Sequence, residues 1–288
     1  MAATALLQVA SHMQVLRLHC TFEILQNGEL PLFKGSTLHG WLGQQLLKQD
    51  PQLYNLMYAE HEQQQLKPYA LACNDQRTAV VEQATLSFEL ALFGSATQIA
   101  GRLLEAMSSH PLGLGPTRIP IRLHSLASRT PQGLRIGIHP MPLLDWLVTI
   151  PANVQHEVVL QLKTPLRIKH KGKILRQGVP PLSLVLAQVQ RRLMLLVRSW
   201  VNADPALSRL LTTAVPLGEH EALHSPVYFE DWQRYSNRQS KHLPFGGLQG
   251  ELSYRGDIFH ALAWLQAGQL MQIGGKTSFG LGYYQLLY

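Results

Sequence analysis

The sequence predicts an α+β protein made of two tandem ferredoxin-like domains, each with the element order βαββαβ. Composition is the first observation: 46% of the 288 residues are hydrophobic and 15% are charged, so the chain can bury a sizeable core. The second is that strand, helix, strands, helix and strand follow one another in the first half. The third is that this order restarts after residues 140–153, where the pattern weakens. We therefore predict domains at residues 1–150 and 151–288.

The first half opens with a strand and a helix. Residues 13–25 alternate apolar and polar side chains, which is typical of a half-buried strand. Ser36 is a candidate N-cap for a helix with apolar side chains at helical spacing, and the pair Asp50–Pro51 ends it. The half is completed by a strand region at 78–93, a helix at 95–109 with Ser95 as candidate N-cap, and a strand at 118–126.

The second half repeats this order coarsely, without a repeat at the level of single residues. Its predicted elements are a strand at 157–163, a helix at 183–201, strands within 227–254, a helix at 257–267 and a final strand at 281–288. Two halves of matching order favour a tandem arrangement.

Cysteine content and hydropathy predict the compartment. Cys20 and Cys73 form neither a disulfide framework nor a CxxC pair, which fits a reducing compartment. Residues 1–13 are apolar but lack the basic region and cleavage site of a signal peptide. Residues 181–201 are too polar to span a bilayer. We expect a soluble, cytoplasmic protein without membrane contact.

Basic residues are concentrated in one segment. The formal net charge is +7, which favours a polyanion as partner. No acidic residue occurs between residues 158 and 203. The same segment contains nine basic residues: Lys163, Arg167, Lys169, Lys171, Lys173, Arg176, Arg191, Arg192 and Arg198. All of them except Arg198 are assigned here to RNA binding, because ammonium and guanidinium groups bind successive phosphates.

Two geometries suit the centre of this segment. Arg167, Lys169, Lys171 and Lys173 alternate along the chain, so on one strand they would share a face. If Lys171–Gly172 is instead a hairpin turn, the charges cluster at its tip. A solvated basic face without a partner is the alternative, although four like charges on one strand face repel one another.

A glycine-rich loop at residues 273–284 is the second candidate site. Gly274 and Gly275 permit close approach of the backbone, and exposed amides with Lys276 and Ser278 can then hold phosphate. A purely structural tight turn is the alternative. A P-loop is excluded, because its first glycine would fall at Leu270 and a helix rather than a strand precedes the loop.

Two further patterns lie between these segments. On a strand, Arg234, Ser236 and Arg238 share one cationic face that suits RNA. His220 and His224 match the spacing of a zinc-protease helix, but Gly218 and Pro226 leave room for barely two turns. We therefore predict no metal site.

His39 is the candidate catalytic residue. It lies on the first predicted helix, at the border between the apolar and polar faces. Three glycines surround it, at positions 35, 40 and 43, so a substrate backbone can come close. A half-buried helix histidine without catalytic function is the alternative.

Four segments taken together resemble one family. They are Phe-Lys-Gly-Ser-Thr-Leu-His-Gly-Trp-Leu-Gly at 33–43, Lys-Thr-Pro-Leu-Arg-Ile at 163–168, Arg-Tyr-Ser-Asn-Arg-Gln at 234–239 followed by Gly246, Gly247 and Gly250, and Gly-Gly-Lys-Thr-Ser-Phe-Gly-Leu-Gly at 274–282. In this order they resemble the N-terminal signature, central strand, late strand pair and glycine-rich loop of the CRISPR repeat-processing endoribonucleases, the Cas6 group of the RAMP superfamily. Many relatives carry arginine where this chain has His39.

The resemblance implies a fold, a ligand and a reaction. The fold is two RRM-like, ferredoxin-like domains, and the ligand is a CRISPR repeat RNA, often a hairpin. Cleavage needs neither metal nor cofactor: the ribose 2′-OH attacks the adjacent phosphate and leaves a 2′,3′-cyclic phosphate and a 5′-OH. The product crRNA stays bound, and other subunits of a CRISPR effector complex are further partners of a monomer or homodimer.

This chemistry needs a base, an acid and a cation. Histidine suits the proton transfers and lysine or arginine suits the charge on the phosphorane. We assign His39 as general acid or base with Lys48 as its partner, Lys34 being the other lysine close in sequence. A non-catalytic RNA-binding RAMP subunit is the alternative function, and a zinc hydrolase that uses His220 and His224 is a more distant one.

Overall fold

Two antiparallel sheets, each with helices packed on one face, organise the chain. The computed structural model describes residues 2–58, 66–148, 156–201, 205–231, 233–236 and 241–288. The predicted domain boundary at residue 150 lies outside the described residues.

The first half forms a sheet around a central first strand. Its elements are α1 (Ala2–His12), β1 (Gln14–Ile24), β2 (Gly28–Glu29), α2 (Gly35–Gln49), α3 (Pro51–Tyr58), β3 (Tyr69–Ala72), β4 (Ala79–Val80), β5 (Thr85–Phe93), a 3₁₀ helix at Gly94–Ile99, α4 (Ala100–Ser108), β6 (Ile121–Thr130), β7 (Gly133–Ile136), β8 (Met141–Pro142) and a second 3₁₀ helix at Leu143–Trp146. The strand order is β3-β5-β1-β6-β7, and β8 also pairs with β1. With β1 antiparallel to both β5 and β6, this is the ferredoxin-like arrangement.

The second half repeats the arrangement. Its elements are β9 (Glu157–Leu166), β10 (Lys169–His170), β11 (Lys173–Ile174), α5 (Leu182–Trp200), α6 (Pro205–Leu210), β12 (His220–Ala222), β13 (Val227–Glu230), β14 (Gln233–Ser236), β15 (Lys241–Pro244), β16 (Gly247–Gly256), α7 (Phe259–Met271), a 3₁₀ turn at Thr277–Phe279 and β17 (Tyr284–Leu287). The strand order is β12-β16-β9-β17, with β13 also on β16. The hairpins β10–β11 and β14–β15 form two separate two-stranded sheets.

The two halves share a hydrophobic interface. One core lies between the first sheet and its helices and includes Phe22, Trp41 and Leu103. The other joins residues of the second half to Leu6 and Phe93 of the first. Because apolar burial is the main favourable term in folding, this shared core holds the two halves in contact with each other.

Several predicted boundaries need correction. Helix α2 begins at Gly35 after Lys34, with no side-chain cap, so Ser36 lies in the first turn. Ser95 lies within a 3₁₀ helix that precedes α4. The sequence interpretation missed α1, α3 and β3. No helix among the described residues is long and apolar enough to cross a bilayer.

Candidate functional site

His39 lies on α2 beneath the glycine-rich loop. Its side chain is 8% exposed, and its Nδ1 lies 3.0 Å from the Ser278 carbonyl oxygen and 3.1 Å from Tyr69 Oη. The helix and the loop approach closely at Gly35, where an added Cβ would lie 2.0 Å from the Phe279 carbonyl oxygen. Glycine at the start of α2 is therefore what lets the loop reach the histidine.

The contact with Ser278 selects one tautomer of His39. A carbonyl oxygen only accepts hydrogen bonds, so Nδ1 must carry the proton in this contact. In the neutral ring, the lone pair then lies on Nε2, which is the atom able to take a proton.

Aromatic rings enclose the histidine. The Phe279 ring centroid lies 3.7 Å from that of His39, and the Tyr58 centroid lies 4.9 Å away. Burial raises the pKa of both Tyr58 and Tyr69, so both remain neutral hydroxyls near neutral pH. The Lys276 ammonium lies 5.7 Å from the centroid of the Phe279 ring. The same ring therefore contacts both His39 and a cation.

Neither lysine named as a partner of His39 is suited to that role. Lys48 follows His39 by nine residues on α2, which corresponds to about 13.5 Å along the axis and the opposite face. Lys34 is 0% exposed, and its ammonium donates to the carbonyl oxygens of Asp75 and Arg77 at 2.9 and 2.6 Å. Helical geometry therefore argues against Lys48, and the occupied ammonium argues against Lys34.

The glycine-rich loop packs against the end of β9. Gly274 has φ +81°, and a Cβ there would lie 2.5 Å from the Arg167 carbonyl oxygen. The Gly275 amide donates to that same oxygen at 2.9 Å. Lys276 and Gly280 also have left-handed backbones. The glycines therefore serve the structural turn, which is the alternative raised from sequence, and they also place Lys276 beside a groove.

This groove, called the basic groove below, has a cavity volume of 480 Å³. The groove lies between the β10–β11 hairpin, α5 and the glycine-rich loop. The residues that line it are Leu66, Arg167, Lys169, Ile174, Gln188, Arg191, Arg192, Leu195, Gly274, Gly275 and Lys276. Five of these side chains are basic and none is acidic. Residues predicted from the basic segment and from the glycine-rich loop thus come together at one surface that suits phosphates.

The hairpin geometry is the correct one of the two considered for the basic segment. Lys171 and Gly172 have φ +48° and +81° and form the turn between β10 and β11. Lys169 lines the basic groove, while Lys173 pairs with His170 and lines a neighbouring cavity. The single-strand geometry, with all four charges on one face, is wrong because the chain reverses at the turn.

Two other basic residues of the segment lie elsewhere. Arg176 pairs with Asp231 at 2.6 Å and stacks on Phe229 at 3.9 Å, so an acid from outside the segment neutralises it. Lys163 donates to Gln161 and lines a different cavity of 360 Å³ with residues such as Tyr283.

The remaining predicted residues are less well placed. Arg234 and Ser236 lie on β14, which pairs with β15, and Arg238 lies outside the described residues. His220 lies on β12 rather than on a helix, so the zinc-protease spacing to His224 is not helical. Among the described residues, no group of three or more His, Cys, Asp or Glu side chains could hold a metal ion.

The sequence interpretation missed the aromatic enclosure of His39. Phe279 carried a weak signal as the aromatic residue inside a run of glycines. Tyr58 and Tyr69 carried none, because α3 and β3 were not predicted and both residues reach His39 only through tertiary packing.

Family models match both halves of the chain. Residues 13–141 match a model described as an N-terminal domain. Residues 160–284 match the model described as CRISPR-associated endoribonuclease Cas6. No curated protein matches the sequence.

Solved structures match over nearly the whole chain. A partial Cas6-RT-Cas1–Cas2 complex matches with TM-score 0.64 and 16% identity, and the match covers 96% of this chain and 46% of that one. A Cas6 product complex matches with TM-score 0.59 and 18% identity over 95% and 100% of the two chains. A Cas6 substrate mimic complex matches with TM-score 0.51 and 18% identity over 95% and 99%. The chain thus spans less than half the length of the first of these, and at such identities the likeness concerns the fold.

Proposed function

We propose that the chain is an endoribonuclease of the Cas6 family, whose model matches residues 160–284, and that it binds CRISPR repeat RNA and cleaves pre-crRNA. The observation that carries the proposal is the position of His39, which lies under the glycine-rich loop and shares that loop with the basic groove. A proton-transfer group beside a cationic groove is what RNA transesterification requires.

His39 acts through Nε2 as the general base. The Ser278 carbonyl oxygen holds the proton on Nδ1, so Nε2 can take the proton of a ribose 2′-OH. The O2′–P bond forms and the P–O5′ bond breaks. The 5′ oxygen leaves and takes a proton from water, which gives a 2′,3′-cyclic phosphate and a 5′-OH. The proposed reaction uses no divalent metal, because His39 takes the proton of the nucleophile and a side-chain cation stabilises the phosphorane.

Lys276 replaces Lys48 as the cation that stabilises the phosphorane. Its ammonium lies on the Phe279 ring that contacts His39, whereas Lys48 lies on the opposite face of α2. A preorganised cation next to the developing negative charge lowers the barrier of phosphoryl chemistry.

RNA must displace the Phe279 side chain to reach His39, because only 8% of this residue is exposed and the Phe279 ring centroid lies 3.7 Å from its own. Active sites commonly reach their productive geometry only after the substrate binds.

The basic groove supplies affinity for the RNA backbone. Arg167, Lys169 and Arg191 line it, and each phosphate they contact releases condensed counterions. Such binding retains the crRNA after cleavage. Docking of the loaded protein onto other CRISPR subunits belongs to the same proposal, and the match to a chain of a Cas6-RT-Cas1–Cas2 complex supports it.

The burial of His39 favours one alternative, a non-catalytic RNA-binding subunit. The two functions are separated by incubating the protein with CRISPR repeat RNA in excess EDTA. The proposed function expects cleavage, with a cyclic phosphate on the upstream product by mass spectrometry. An RNA with a 2′-deoxyribose at the scissile nucleotide is the control and should be bound but not cut.

Three results would contradict parts of this proposal. Binding without cleavage of the all-ribose RNA would support the non-catalytic alternative. A 3′-OH end on the upstream product would contradict attack by the 2′-OH. Cleavage that stops when EDTA is added would contradict the metal-free reaction.

A further inference from the structure

Arg192 is a buried cation on the inward face of α5. Its side chain is 5% exposed and lies on the same helix face as the core residues Val189 and Leu196. Burial lowers the pKa of Arg192 to about 9, so the guanidinium is still protonated near neutral pH. A buried charge is unfavourable unless it is paired, which makes its surroundings informative.

These surroundings leave the charge of Arg192 uncompensated. Among the described residues no carboxylate lies within ion-pair distance of it, and its Nη1 donates to Thr277 Oγ1 at 2.6 Å. The ring of Phe93 lies 5.9 Å away, at the limit of a cation–π contact. Within the same described part of the chain, Nε and Nη2 have no hydrogen-bond acceptor.

The two unpartnered nitrogens form a two-donor fork. Nε–H and Nη2–H point in parallel from one edge of a guanidinium group, and their spacing matches two oxygens of a phosphate. Arg192 also lines the basic groove, whose other charged side chains are all cations. An anion entering this groove would therefore meet a buried donor pair that lacks a partner.

We propose that Arg192 forms a phosphate-binding subsite for the RNA at the base of the basic groove. The subsite rests on the proposed function, because it names the residue that holds one backbone phosphate next to the cleavage site. Thr277, which Arg192 contacts, precedes Ser278, whose carbonyl oxygen contacts His39. Arg192 and His39 thus contact adjacent residues of the same loop.

The first test uses inorganic phosphate as the probe and needs no cleavage. Thermal unfolding is measured for wild type, Arg192→Met and Arg198→Met in sodium phosphate and in sodium chloride of equal ionic strength. Arg198 is the matched control, because it is exposed on the same helix and does not line the groove. Phosphate should raise the melting temperature of wild type and Arg198→Met by at least about 2 °C, and that of Arg192→Met by less than half as much.

The second test uses repeat RNA with a 2′-deoxyribose at the scissile nucleotide, so that binding is measured without cleavage. Arg192→Met should weaken binding by about tenfold and lower the slope of log affinity against log salt by about one. Arg198→Met should keep the wild-type slope. Arg192→Lys retains the charge without the fork and should fall between the two, which covers the case in which Arg192→Met does not fold.

Specific outcomes would overturn the subsite. Phosphate stabilisation that is equal in all three proteins, or absent from wild type, removes the anion site. Arg192-dependent stabilisation by phosphate with an unchanged RNA salt slope means that the site takes free phosphate and not RNA. If the subsite passes both tests and no RNA is cut, the proposed catalysis fails while the subsite stands.

Discussion

The enclosure of His39 and the basic groove share the glycine-rich loop but differ in polarity and in exposure to solvent. The enclosure is apolar and nearly closed: His39 is packed against Phe279, Tyr58 and Tyr69 and bonded to a carbonyl oxygen. The groove is open and lined by cations from three segments. A closed pocket controls the position and tautomer of one group, whereas an open cationic surface attracts a long polyanion. Mutations in the enclosure should therefore change the cleavage rate, and mutations in the groove should change the RNA affinity.

The largest expected effect is that of His39→Ala. Loss of the general base should slow cleavage by about a hundredfold or more, while RNA affinity stays near wild type. Single-turnover cleavage at saturating repeat RNA measures the first, and binding of the 2′-deoxy RNA measures the second. His124→Ala is the matched control, because His124 is exposed on β6. A wild-type cleavage rate in His39→Ala would falsify the assignment.

A double substitution in the basic groove should lower the RNA affinity and leave the cleavage rate nearly unchanged. Lys169→Gln with Arg191→Gln removes two charges that line the groove, so RNA affinity should fall about tenfold or more and the salt slope by up to about two. The cleavage rate at saturating RNA should stay within about threefold of wild type. Arg135→Gln with Arg198→Gln removes two exposed charges that do not line the groove and serves as control. If both double variants show the same slope, the groove does not contact phosphate.

A smaller effect is expected from Tyr69→Phe, which tests the enclosure. This change removes the hydroxyl that lies 3.1 Å from His39 Nδ1, and cleavage should slow by about threefold to tenfold, the usual effect of one hydrogen bond. Tyr254→Phe is the control, because it deletes a similar buried bond to the Pro180 carbonyl oxygen in the second sheet. Equal rates in the two variants would mean that Tyr69 does not orient the histidine.

The smallest expected effect concerns the pH dependence of stability at Arg192. The pKa of this residue is about 9 in the folded protein and 12.5 as its ordinary value, so above pH 9 the unfolded chain binds more protons than the folded one. Stability contributed by this group therefore rises with pH. Below pH 9, Arg192→Met should be at least as stable as wild type, because it removes a buried charge.

The pH series compares the two proteins by urea unfolding. Between about pH 8 and about pH 10, wild type should gain about 1 kcal/mol relative to Arg192→Met. A difference that stays constant over this range would show that the folded protein does not lower the pKa of Arg192.

Periodicity and charge in the sequence were sufficient for the two βαββαβ halves and for the basic segment. Strand β1 alternates, and α5 repeats its apolar residues at helical spacing, so local pattern and final burial agree. Short elements were missed: α3 begins at Pro51, only one residue after the end of α2, and β3 has only four residues. In such elements the pattern is too brief to be distinguished from its neighbours.

By itself the sequence determined that His39 lies among glycines at positions 35, 40 and 43, that nine cations occur without an acid between residues 158 and 203, and that a glycine-rich loop precedes the final strand. These are properties of composition and spacing. Only the tertiary structure decided which of them meet. Arg176 is neutralised by Asp231, His39 contacts the Ser278 carbonyl oxygen, and Arg192 is buried with an unpartnered fork. Partners that lie far apart in sequence are brought together by tertiary packing, and no local pattern encodes those distances.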